Sequence, residues 1–439
     1  MEKSRVNIFW FRRDLRLHDN AGLYHALKAG LPVLPLFIFD LNILDKLQDK
    51  DDARVTFIFD ALEALNKELV SYGSSLVVKY NFPERAWEEL TGEFNIQQVF
   101  TNNDYEPYAL ERDAEILKLL AEKSIPLLSF KDHVIFEKDE VKKDDKQPYT
   151  VFSAYKRKWH EILKPQQHFS SYPIESYFHN FHHYQPLEIP GLKAIGFQRS
   201  PITFPSKHYE HLIANYKETR DIPGIEGTTK IGIHLRFGTL SIRDLARSAY
   251  AQPDDTWLSE LIWRDFYAMI LWHFPTTTTH SFKKEFDNIN WRNNEKEFLC
   301  WCEGKTGYPI VDAGMRQLNE SGWMHNRARM ITASFLTKHL LIDWRWGEAY
   351  FARKLLDYDM ASNIGGWQWA AGSGNDAVPY FRVFNPELQT KKFDPQFKYI
   401  KKWVPEVGDP FTYPQPIVEH TFARQRALTE FRKALASKF

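Results

Sequence analysis

The sequence predicts an α/β N-terminal domain built on a doubly wound parallel sheet, followed by an all-helical C-terminal domain. Its 439 residues suggest two or three domains at about 150 residues each. Short apolar runs alternate with helical patterns only in the first 130 or so residues, and long helical patterns dominate after residue 201. Because 43% of the residues are hydrophobic and 26% are charged, a disordered chain is excluded.

Five apolar runs rich in β-branched and aromatic residues predict the strands of the first domain, assigned to residues 1–130. They span 6–11, 32–40, 75–80, 97–101 and 125–130. The stretches between them carry helical periodicity, at 21–30, 54–73, 83–94 and 109–124. Strands that are apolar along their whole length, alternating with helices, are typical of a parallel sheet covered by helices on both faces.

The pattern breaks between residues 131 and 200, where charge clusters and stretches rich in His, Tyr and Pro predict an interdomain linker with one helix near 153–163. Residues 201–439 are predicted to form the helical domain. Its helical patterns include 256–274, 307–322, 326–342 and 347–358.

The formal net charge of zero conceals an asymmetry. Residues 1–150 carry 20 basic and 27 acidic side chains, whereas residues 151–439 carry 37 and 30. Of the 14 tryptophans, 11 lie between Trp257 and Trp403. A mildly basic, Trp-rich C-terminal part is compatible with a domain that binds a polyanion.

Several common site types are excluded. The GKT at 304–306 lacks the glycine that a phosphate-binding loop needs five residues earlier, where Leu299 stands. No nucleophile elbow, zinc helix or G-x-G-x-x-G fingerprint occurs, and Cys300 and Cys302 lack further zinc ligands. No metal site is predicted. Charged residues at the start and the absence of a run of ~20 apolar residues predict a soluble, cytoplasmic protein with no membrane partner.

Three segments of the helical part concentrate unusual chemistry, at 259–267, 322–330 and 357–376. Helical spacing places Glu260, Trp263 and Arg264 on one face of the first segment. The same spacing places Asn326, Arg329 and Met330 on one face of the second.

The third segment carries GGWQW, which we expect to form a glycine-rich turn beside Asp357 and Asp359. Together the three segments supply carboxylates, an amide, arginines and at least four indoles. The combination predicts a site for a planar ligand.

Four stretches resemble the photolyase and cryptochrome family, most closely its class I cyclobutane pyrimidine dimer DNA photolyases: WFRRDLRLHDN, EGKTGYPIVDAGMRQLNESGWMHNRARMITASFL, LIDWRWGEAYF and DYDMASNIGGWQWAAGSGNDAVPYFRVFNP. The resemblance covers essentially the whole chain. It implies an α/β domain joined to a helical domain that holds FAD, and repair of UV-damaged DNA in which excited, reduced flavin gives an electron to the dimer.

The resemblance assigns cofactor-binding positions. The segment that holds the FAD phosphates corresponds to Tyr216, Thr228, Thr229, Lys230, Ile231 and Gly232, with Gly232 where the family usually has Ser. The remaining flavin positions correspond to Trp257, Glu260, Arg264, Asn326, Arg329, Asp357, Asp359 and Asn363. Arg329 and Asp357 match an ion pair beside the flavin ring, and Asn363 matches the residue that faces flavin N5.

The family's electron-transfer triad corresponds to Trp367, Trp344 and Trp291, in order from flavin to surface. Indole suits this role because its one-electron oxidation is more accessible than that of most side chains.

The lesion pocket is assigned by the same resemblance. Trp263, Trp369 and Met330 match its walls, while Glu260 and Asn326 match the groups that hydrogen-bond the pyrimidine edges. The family is among the enzymes that flip target bases out of the duplex. Positions that contact DNA correspond to Arg220, Trp263, Arg264, Arg327 and Arg382, with Lys391 and Lys392 as looser candidates.

Three alternatives remain open from the residues. A (6-4) photolyase is disfavoured because Asn326 and Met330 stand where such enzymes have histidines. A cryptochrome-type blue-light receptor shares the fold and FAD but does not repair DNA. A non-photochemical flavin oxidoreductase needs a pyridine-nucleotide site, and the sequence offers no fingerprint for one.

The second, antenna chromophore is left undetermined. Folate-using relatives have an Asn-Glu pair after the Tyr-Glu that follows the fourth strand, whereas Tyr105 and Glu106 are followed here by Pro107. A deazaflavin, a folate, another flavin or no antenna remain the alternatives. We expect a monomer whose partner is UV-damaged DNA.

Overall fold

Five parallel strands in the order β3-β2-β1-β4-β5 organise the first part of the chain. The structure is a computed structural model and describes residues 4–436. The strands are β1 (Arg5–Phe11), β2 (Val33–Asp40), β3 (Val77–Asn81), β4 (Asn95–Asn102) and β5 (Leu127–Phe130). Every strand begins and ends within two residues of a predicted run. The doubly wound parallel sheet is therefore confirmed.

Helices alternate with these strands: α1 (Ala21–Lys28), α2 (Leu41–Leu44), α3 (Ala53–Ser71), α4 (Pro83–Glu93) and α5 (Pro107–Glu122). The central strand β1 pairs with β2 on one side and β4 on the other. Gly22 lets α1 pack closely here, because a Cβ at that position would lie 2.8 Å from the Phe9 ring and 2.9 Å from Asn102 Oδ1.

The rest of the described chain is helical apart from loops and isolated bridges. Short 3₁₀ turns and one π-helical turn, Phe335–His339, interrupt it. The α-helices are α6 (Phe152–Ile162), α7 (Pro165–His168), α8 (Glu210–Ile213), α9 (Tyr216–Thr219), α10 (Gly232–Arg236), α11 (Ile242–Tyr250), α12 (Thr256–His273), α13 (Glu295–Cys302), α14 (Pro309–Ser321), α15 (Asn326–Ser334), α16 (Trp344–Lys354), α17 (Met360–Ala371), α18 (Pro386–Phe393), α19 (Lys398–Trp403) and α20 (His420–Ala436).

The chain forms two compact units that are discontinuous in sequence. The sheet unit comprises the chain up to Glu137, Leu163–Lys207 and Ile231–Ala251. The helical unit comprises Lys138–Ile162, His208–Lys230 and the chain from Gln252 onward. These limits differ from the predicted boundaries at 130 and 200. The expected linker is divided between the two units, and Ile231–Ala251 belongs to the sheet unit without adding a strand.

Buried ion pairs explain why Ile231–Ala251 belongs to the sheet unit. Arg243 on α11 donates to Asp19 at 3.0 Å and to Asp132 at 2.8 Å, and Arg16 also donates to Asp132 at 2.8 Å. The two arginines hold the pKa of the Asp132 carboxyl well below its usual range, although burial opposes them. Partners more than 100 residues apart leave no local signature in the sequence.

Aromatic packing explains why Lys138–Ile162 belongs to the helical unit. The Phe152 ring on α6 stacks on Trp263 of α12 with centroids 3.5 Å apart. The Trp159 indole donates to Asp265 Oδ2 at 3.1 Å, also on α12. The predicted helix near 153–163 exists as α6, but it packs as part of the helical core.

Candidate functional site

The half-buried face of α12 carries the first group of predicted site residues. Glu260 accepts a hydrogen bond from Arg220 Nη1 at 2.5 Å. Burial raises the pKa of the Glu260 carboxyl, while the charges of Arg220 and Arg327 lower it. Trp257 lies one turn earlier, is buried, and stacks on Tyr209 with centroids 5.3 Å apart.

Arg220 and the following residue, Asp221, connect α12 to α15. Arg220 pairs with Glu260 on α12, whereas Asp221 accepts two hydrogen bonds from Arg327 on α15, at 2.8 and 2.7 Å. The two helices that carry predicted lesion-pocket residues are therefore tied by consecutive residues of one short segment. Arg220 also lies 5.7 Å from the centroid of the Tyr216 ring, another predicted cofactor position.

Trp263 lies in an aromatic stack. The Phe152 ring stacks nearly parallel on the Trp263 ring, with centroids 3.5 Å apart. The Tyr267 ring also stacks on Trp263, with centroids 5.3 Å apart and an interplanar angle of 29°. Phe152 is itself held by its backbone N–H, which donates to Asp376 Oδ2 at 2.9 Å. Trp263 is half-buried within this group of aromatic rings, and such rings can stack on planar ligands.

The predicted site residues in the first turns of α15 make contacts in two different directions. Asn326 is exposed and its Nδ2 lies 3.9 Å from Met330 Sδ. Arg329 turns instead to Asp357, donating at 3.1 and 2.8 Å, and to the carbonyl of Met324 at 2.8 Å. The predicted ion pair between Arg329 and Asp357 is thus present in the structure.

The GGWQW segment is helical, which corrects the expectation of a glycine-rich turn. Both glycines lie inside α17, but only Gly365 serves its packing. A Cβ on Gly365 would lie 2.2 Å from the Tyr267 ring, so this face of α17 approaches α12 closely. The glycine pair in the sequence favoured a turn. Gly365 is instead required by the close approach of α17 to α12, which is a tertiary contact that local composition does not reveal.

A different face of α17 is open at Gly366. A Cβ on Gly366 would meet nothing within 4 Å, although most of the helix is buried. Asp359 and Asn363 precede Gly366 at helical spacing and share this face. Asp359 caps α17 by accepting from the Ser362 N–H at 3.1 Å. Asn363 donates from Nδ2 to Glu348 Oε1 at 2.9 Å.

This open face fits a flavin. A flavin ring needs unfilled space in which to lie. It also needs an amide and a nearby ion pair that can contact its polar edge. Gly366 supplies the space, Asn363 the amide, and Arg329 with Asp357 the ion pair. The residues present therefore suit the cofactor that the resemblance implies.

The predicted phosphate segment divides between the two units. Thr228, Thr229 and Lys230 belong to the helical unit, and Lys230 has a positive φ of 53° and pairs with Glu226. Ile231 and Gly232 belong to the sheet unit, where Gly232 begins the five-residue α10. The role of the segment stays a prediction.

The three triad tryptophans share one hydrophobic cluster. Trp367 is 2% exposed and Trp344 is 1% exposed, whereas Trp291 is half-buried at its edge. Gly347 explains the contact of α17 with α16, because a Cβ there would lie 2.1 Å from Trp367 Cη2. Since Trp344 is one turn before Gly347, Trp367 packs on the face of α16 that carries Trp344.

The remaining predicted DNA contacts differ in exposure. Arg264 is half-buried, whereas Arg382, Lys391 and Lys392 are exposed. Trp369, predicted as a wall of the lesion pocket, is half-buried. Arg382 lies 5.8 Å from the Phe384 ring.

Three residues that contact the site were not predicted: Phe152 on Trp263, Asp221 on Arg327, and Glu348 on Asn363. Phe152 lay in the expected linker, and no spacing connects the other two pairs along the chain. Burial raises the pKa of the Glu348 carboxyl, partly offset by the Asn363 and Tyr358 hydrogen bonds.

In the sheet unit, the Tyr105-Glu106 pair is engaged internally. The Tyr105 hydroxyl donates to Glu137 Oε2 at 2.7 Å, and Glu106 pairs with Arg13 and Arg236. Among residues 4–436, no helix combines the length and the apolar character needed to cross a bilayer.

Comparisons with known proteins identify the family of the chain. The family model described as DNA photolyase matches residues 7–173, and that described as FAD binding domain of DNA photolyase matches 257–410. The deoxyribodipyrimidine photo-lyase of Alkalihalophilus pseudofirmus is 36% identical, covering 96% of this chain and 97% of its own. That of Escherichia coli is 35% identical, covering 99% and 100%.

Solved structures are also similar. A class III photolyase from Agrobacterium tumefaciens superposes with a TM-score of 0.85 at 31% identity, covering 100% of this chain and 99% of its own. An archaeal photolyase from Sulfolobus tokodaii with two FAD molecules gives 0.80 at 33% identity, covering 97% and 99%. A cryptochrome from Synechocystis gives 0.84 at 25% identity, covering 98% and 99%.

Proposed function

Because the chain belongs to the DNA photolyase family, and is thus an FAD-binding enzyme of photolyase-type DNA repair, we propose that its lesion is the cyclobutane pyrimidine dimer and that light-driven electron transfer splits it. The observation that carries this proposal is the convergence of α12 and α15 through Arg220 and Asp221. It brings Glu260 and the aromatic stack on Trp263 together with the helix that begins at Asn326.

Asn363, Arg329 and Asp357 would hold the reduced flavin, which would supply the light-driven one-electron chemistry that opens the cyclobutane ring. Asn363 lies on the open face of α17, where we place the flavin ring. Its Nδ2 is occupied by Glu348, which leaves Oδ1 as the atom available to accept a hydrogen bond. A neutral amide in this position holds the ring without adding charge.

The aromatic stack on Trp263 supplies one wall of the proposed lesion pocket. Trp263 backed by Phe152 offers a rigid apolar plane, and Trp369 and Met330 supply further apolar surface. Such surfaces suit two flipped-out bases, because unstacked pyrimidines recover stacking energy against aromatic rings.

Glu260 is the group we assign to the developing charge on the dimer. Burial already raises its pKa, and a bound lesion removes more water from the carboxyl. We assign Glu260 to hydrogen-bond the pyrimidine edge on which negative charge accumulates. Arg220 holds the group in place.

Repair of the (6-4) photoproduct is disfavoured by the side chains of α15. Neither Asn326 nor Met330 can act as an acid. The adjacent His325 serves as the helix cap, since its Nδ1 accepts from the Arg327 N–H at 3.1 Å. Burial lowers the pKa of His325 to about 4, so its ring is neutral at neutral pH.

Photoreduction through Trp367, Trp344 and Trp291 is part of the same proposal. The close packing of Trp367 on α16 and the burial of the first two indoles support it. A second chromophore in the sheet unit, the monomeric state, and the DNA contacts stay predictions.

The test is light-dependent repair by the purified, flavin-loaded protein. One oligonucleotide carries a single thymine dimer and a matched one carries a (6-4) photoproduct, each with a dark control. We expect blue light to restore only the dimer substrate. A protein with a flavin absorption band that leaves the dimer intact in light would contradict the proposal and favour a receptor of the cryptochrome type.

A further inference from the structure

Lys338 is a lysine buried in the core of the helical unit. It lies in the π-helical turn Phe335–His339 and has no solvent exposure. Its Nζ donates to the carbonyl oxygen of Ala371 at 2.7 Å and to that of Tyr380 at 3.3 Å. The same nitrogen lies 3.5 Å from the centroid of the Phe431 ring on α20. One side chain therefore joins its own turn to three segments that are distant in sequence.

The contacts of Lys338 use the donor capacity of its side chain. An ammonium group carries three N–H donors, and this one faces two carbonyl oxygens and one aromatic ring. Burial lowers the pKa of the Lys338 ammonium well below its usual range. An uncharged amine still has two N–H donors. Because two donors suffice for two carbonyls, Lys338 holds both of them in either protonation state.

The contact with Ala371 completes the C-terminal end of α17. The last carbonyls of a helix have no partner within the helix. Those of Gln368 and Trp369 accept from the Gly372 N–H at 3.0 and 3.2 Å, whereas that of Ala371 accepts from Lys338. Gly372 has a φ of 87°, a left-handed conformation that favours glycine, and the chain reverses there.

The contact with Tyr380 fixes the segment between α17 and α18, residues 372–385, which we call the connecting loop. Lys338 bonds to Ala371, directly before this loop, and to Tyr380 inside it. The residues between them therefore form a closed bend. The Tyr380 ring also stacks on Phe431 of α20, with centroids 6.2 Å apart and an interplanar angle of 8°. A buried amine and the last helix thus hold the base of the bend.

The connecting loop borders the aromatic stack on Trp263. Asp376 in the loop accepts from the Phe152 N–H at 2.9 Å, and the Phe152 ring stacks on Trp263. Further along the loop, the Phe381 side chain is 59% exposed and Arg382 is also exposed. An exposed aromatic ring and a guanidinium beside the proposed lesion pocket suit contact with a nucleic acid, because bases stack on aromatic rings and arginine binds phosphate.

We propose that Lys338 is a positioning residue for DNA binding, which holds Phe381 and Arg382 in place before DNA arrives. The inference rests on the proposed function, because it takes DNA to lie against the Trp263 stack. A loop that is ordered in advance loses less conformational entropy on binding, so the Lys338 contacts increase the affinity for DNA. Ala371, Tyr380 and Phe431 are assigned to neither the flavin nor the lesion. The ring-opening step is therefore independent of Lys338.

The test uses Lys338→Met in the flavin-loaded protein. Methionine removes the N–H donors, and an apolar side chain in place of a buried charged one is compatible with folding. We expect the affinity for an oligonucleotide that carries a single thymine dimer to fall about tenfold. The single-turnover rate of repair at saturating DNA should stay unchanged. Backbone amides of the connecting loop should exchange their hydrogens faster than in the unaltered protein.

A double-mutant cycle connects Lys338 to the arginine that it positions. Arg382→Ala alone should weaken binding of the dimer-containing oligonucleotide. The same substitution in the Lys338→Met background should weaken binding less, because Arg382 is no longer held towards the DNA. A purely structural role of Lys338 would lower the thermal stability and leave the two effects on binding additive.

Thr337→Val is the matched control. Thr337 precedes Lys338 in the same turn, has no solvent exposure, and donates from Oγ1 to the Ala333 carbonyl at 2.9 Å. The substitution removes a buried hydrogen bond next to Lys338 and leaves the Lys338 donors in place. We expect a loss of thermal stability together with unaltered DNA affinity and unaltered hydrogen exchange of the connecting loop. Flavin absorbance of every variant verifies that the cofactor is bound.

The outcomes separate this proposal from the one it rests on. If Arg382→Ala binds the dimer-containing oligonucleotide as tightly as the unaltered protein, the placement of DNA at this loop is overturned, and the role of Lys338 with it. If Arg382→Ala weakens binding and Lys338→Met does not, only the role of Lys338 is overturned.

Hydrogen exchange of the unaltered protein decides the matter if Lys338→Met does not fold. Slow exchange in the connecting loop without DNA supports the proposal. Exchange that is fast without DNA and slows only when DNA binds would overturn it, because the loop would then not be ordered in advance.

Discussion

Arg220 Nη1 lies 2.5 Å from Glu260 Oε1, so an arginine predicted to contact DNA already neutralises the carboxyl predicted to contact the lesion. Both side chains are partly exposed, at 25% and 32%. The arrangement leaves the pair accessible to a ligand and keeps the carboxyl oriented. A change at Arg220 therefore also changes the surroundings of the Glu260 carboxyl.

Replacement of Glu260 should lower repair without emptying the flavin site. A hydrogen bond to a charged group contributes about 1.5–3 kcal/mol, which corresponds to roughly a tenfold to hundredfold lower rate of ring opening. Glu260→Ala should show this loss in a single-turnover repair assay with normal flavin absorbance. Glu303→Gln, at an exposed carboxyl paired with Lys305, is the control. An unchanged rate in Glu260→Ala would refute the role.

Gly366→Ala should separate stability from cofactor binding. The new Cβ meets no atom of the protein, and alanine is favoured over glycine in a helix by about 1 kcal/mol. We expect the flavin-free protein to unfold at a slightly higher temperature, while its affinity for FAD falls because the methyl group occupies space assigned to the ring. Unaltered FAD affinity, measured by titration, would place the flavin elsewhere.

Gly347→Ala should have the opposite effect on stability. A Cβ there overlaps the Trp367 ring, so α16 or the indole must shift, and such overpacking costs about 1–3 kcal/mol. Chemical denaturation should show the loss, and flavin photoreduction should slow because Trp367 moves. Wild-type stability together with wild-type photoreduction would be inconsistent with the close packing of Trp367 on α16.

The stability of the helical unit should depend on pH through His325. Burial lowers the pKa of this ring to about 4 from 6.5, so the unfolded chain binds the proton more readily than the folded chain. Stability is therefore retained above pH 6.5 and is lost as the pH falls towards 4, on the order of 2–3 kcal/mol in total. Asp221, Arg327 and Arg329 are the charges that face the ring.

His325→Asn tests this dependence, because asparagine also caps helices but does not titrate. Thermal unfolding between pH 7 and pH 4.5 should show a weaker pH dependence in this variant. His280→Asn, at an exposed histidine, should leave the dependence unchanged. Equal pH dependence in the two variants would count against His325 as the origin.

Salt dependence should rank the predicted DNA contacts. Each phosphate contact contributes about 0.9 to the slope of log affinity against log salt. Arg382→Ala and Lys391→Ala should each reduce the slope by an amount near this value. Arg327→Ala should reduce it less, since Asp221 already balances that charge. Binding to a dimer-containing oligonucleotide at several salt concentrations measures the ranking, and an equal effect of all three variants would contradict it.

Much of the fold was predictable because its signals are local. The five strands of the sheet are short and separated by helices, and β1, β2 and β4 are largely buried, so the strand positions follow from apolar runs alone. The face of α12 that carries Glu260 and Trp263 follows from helical spacing. The resemblance to photolyases added FAD and the family, and both are confirmed.

The sequence by itself determined the order of strands and helices, the family, and the residue types available to the site. The tertiary structure alone decided which residues meet: Phe152 with Trp263, Arg220 with Glu260, and Lys338 with Tyr380. It also decided that Gly365 and Gly366 lie in a helix and that Arg243 joins the sheet unit through Asp19 and Asp132. The physical reason is that periodicity and turn propensity act over a few residues. Ion pairs and ring contacts form between residues that folding alone brings together.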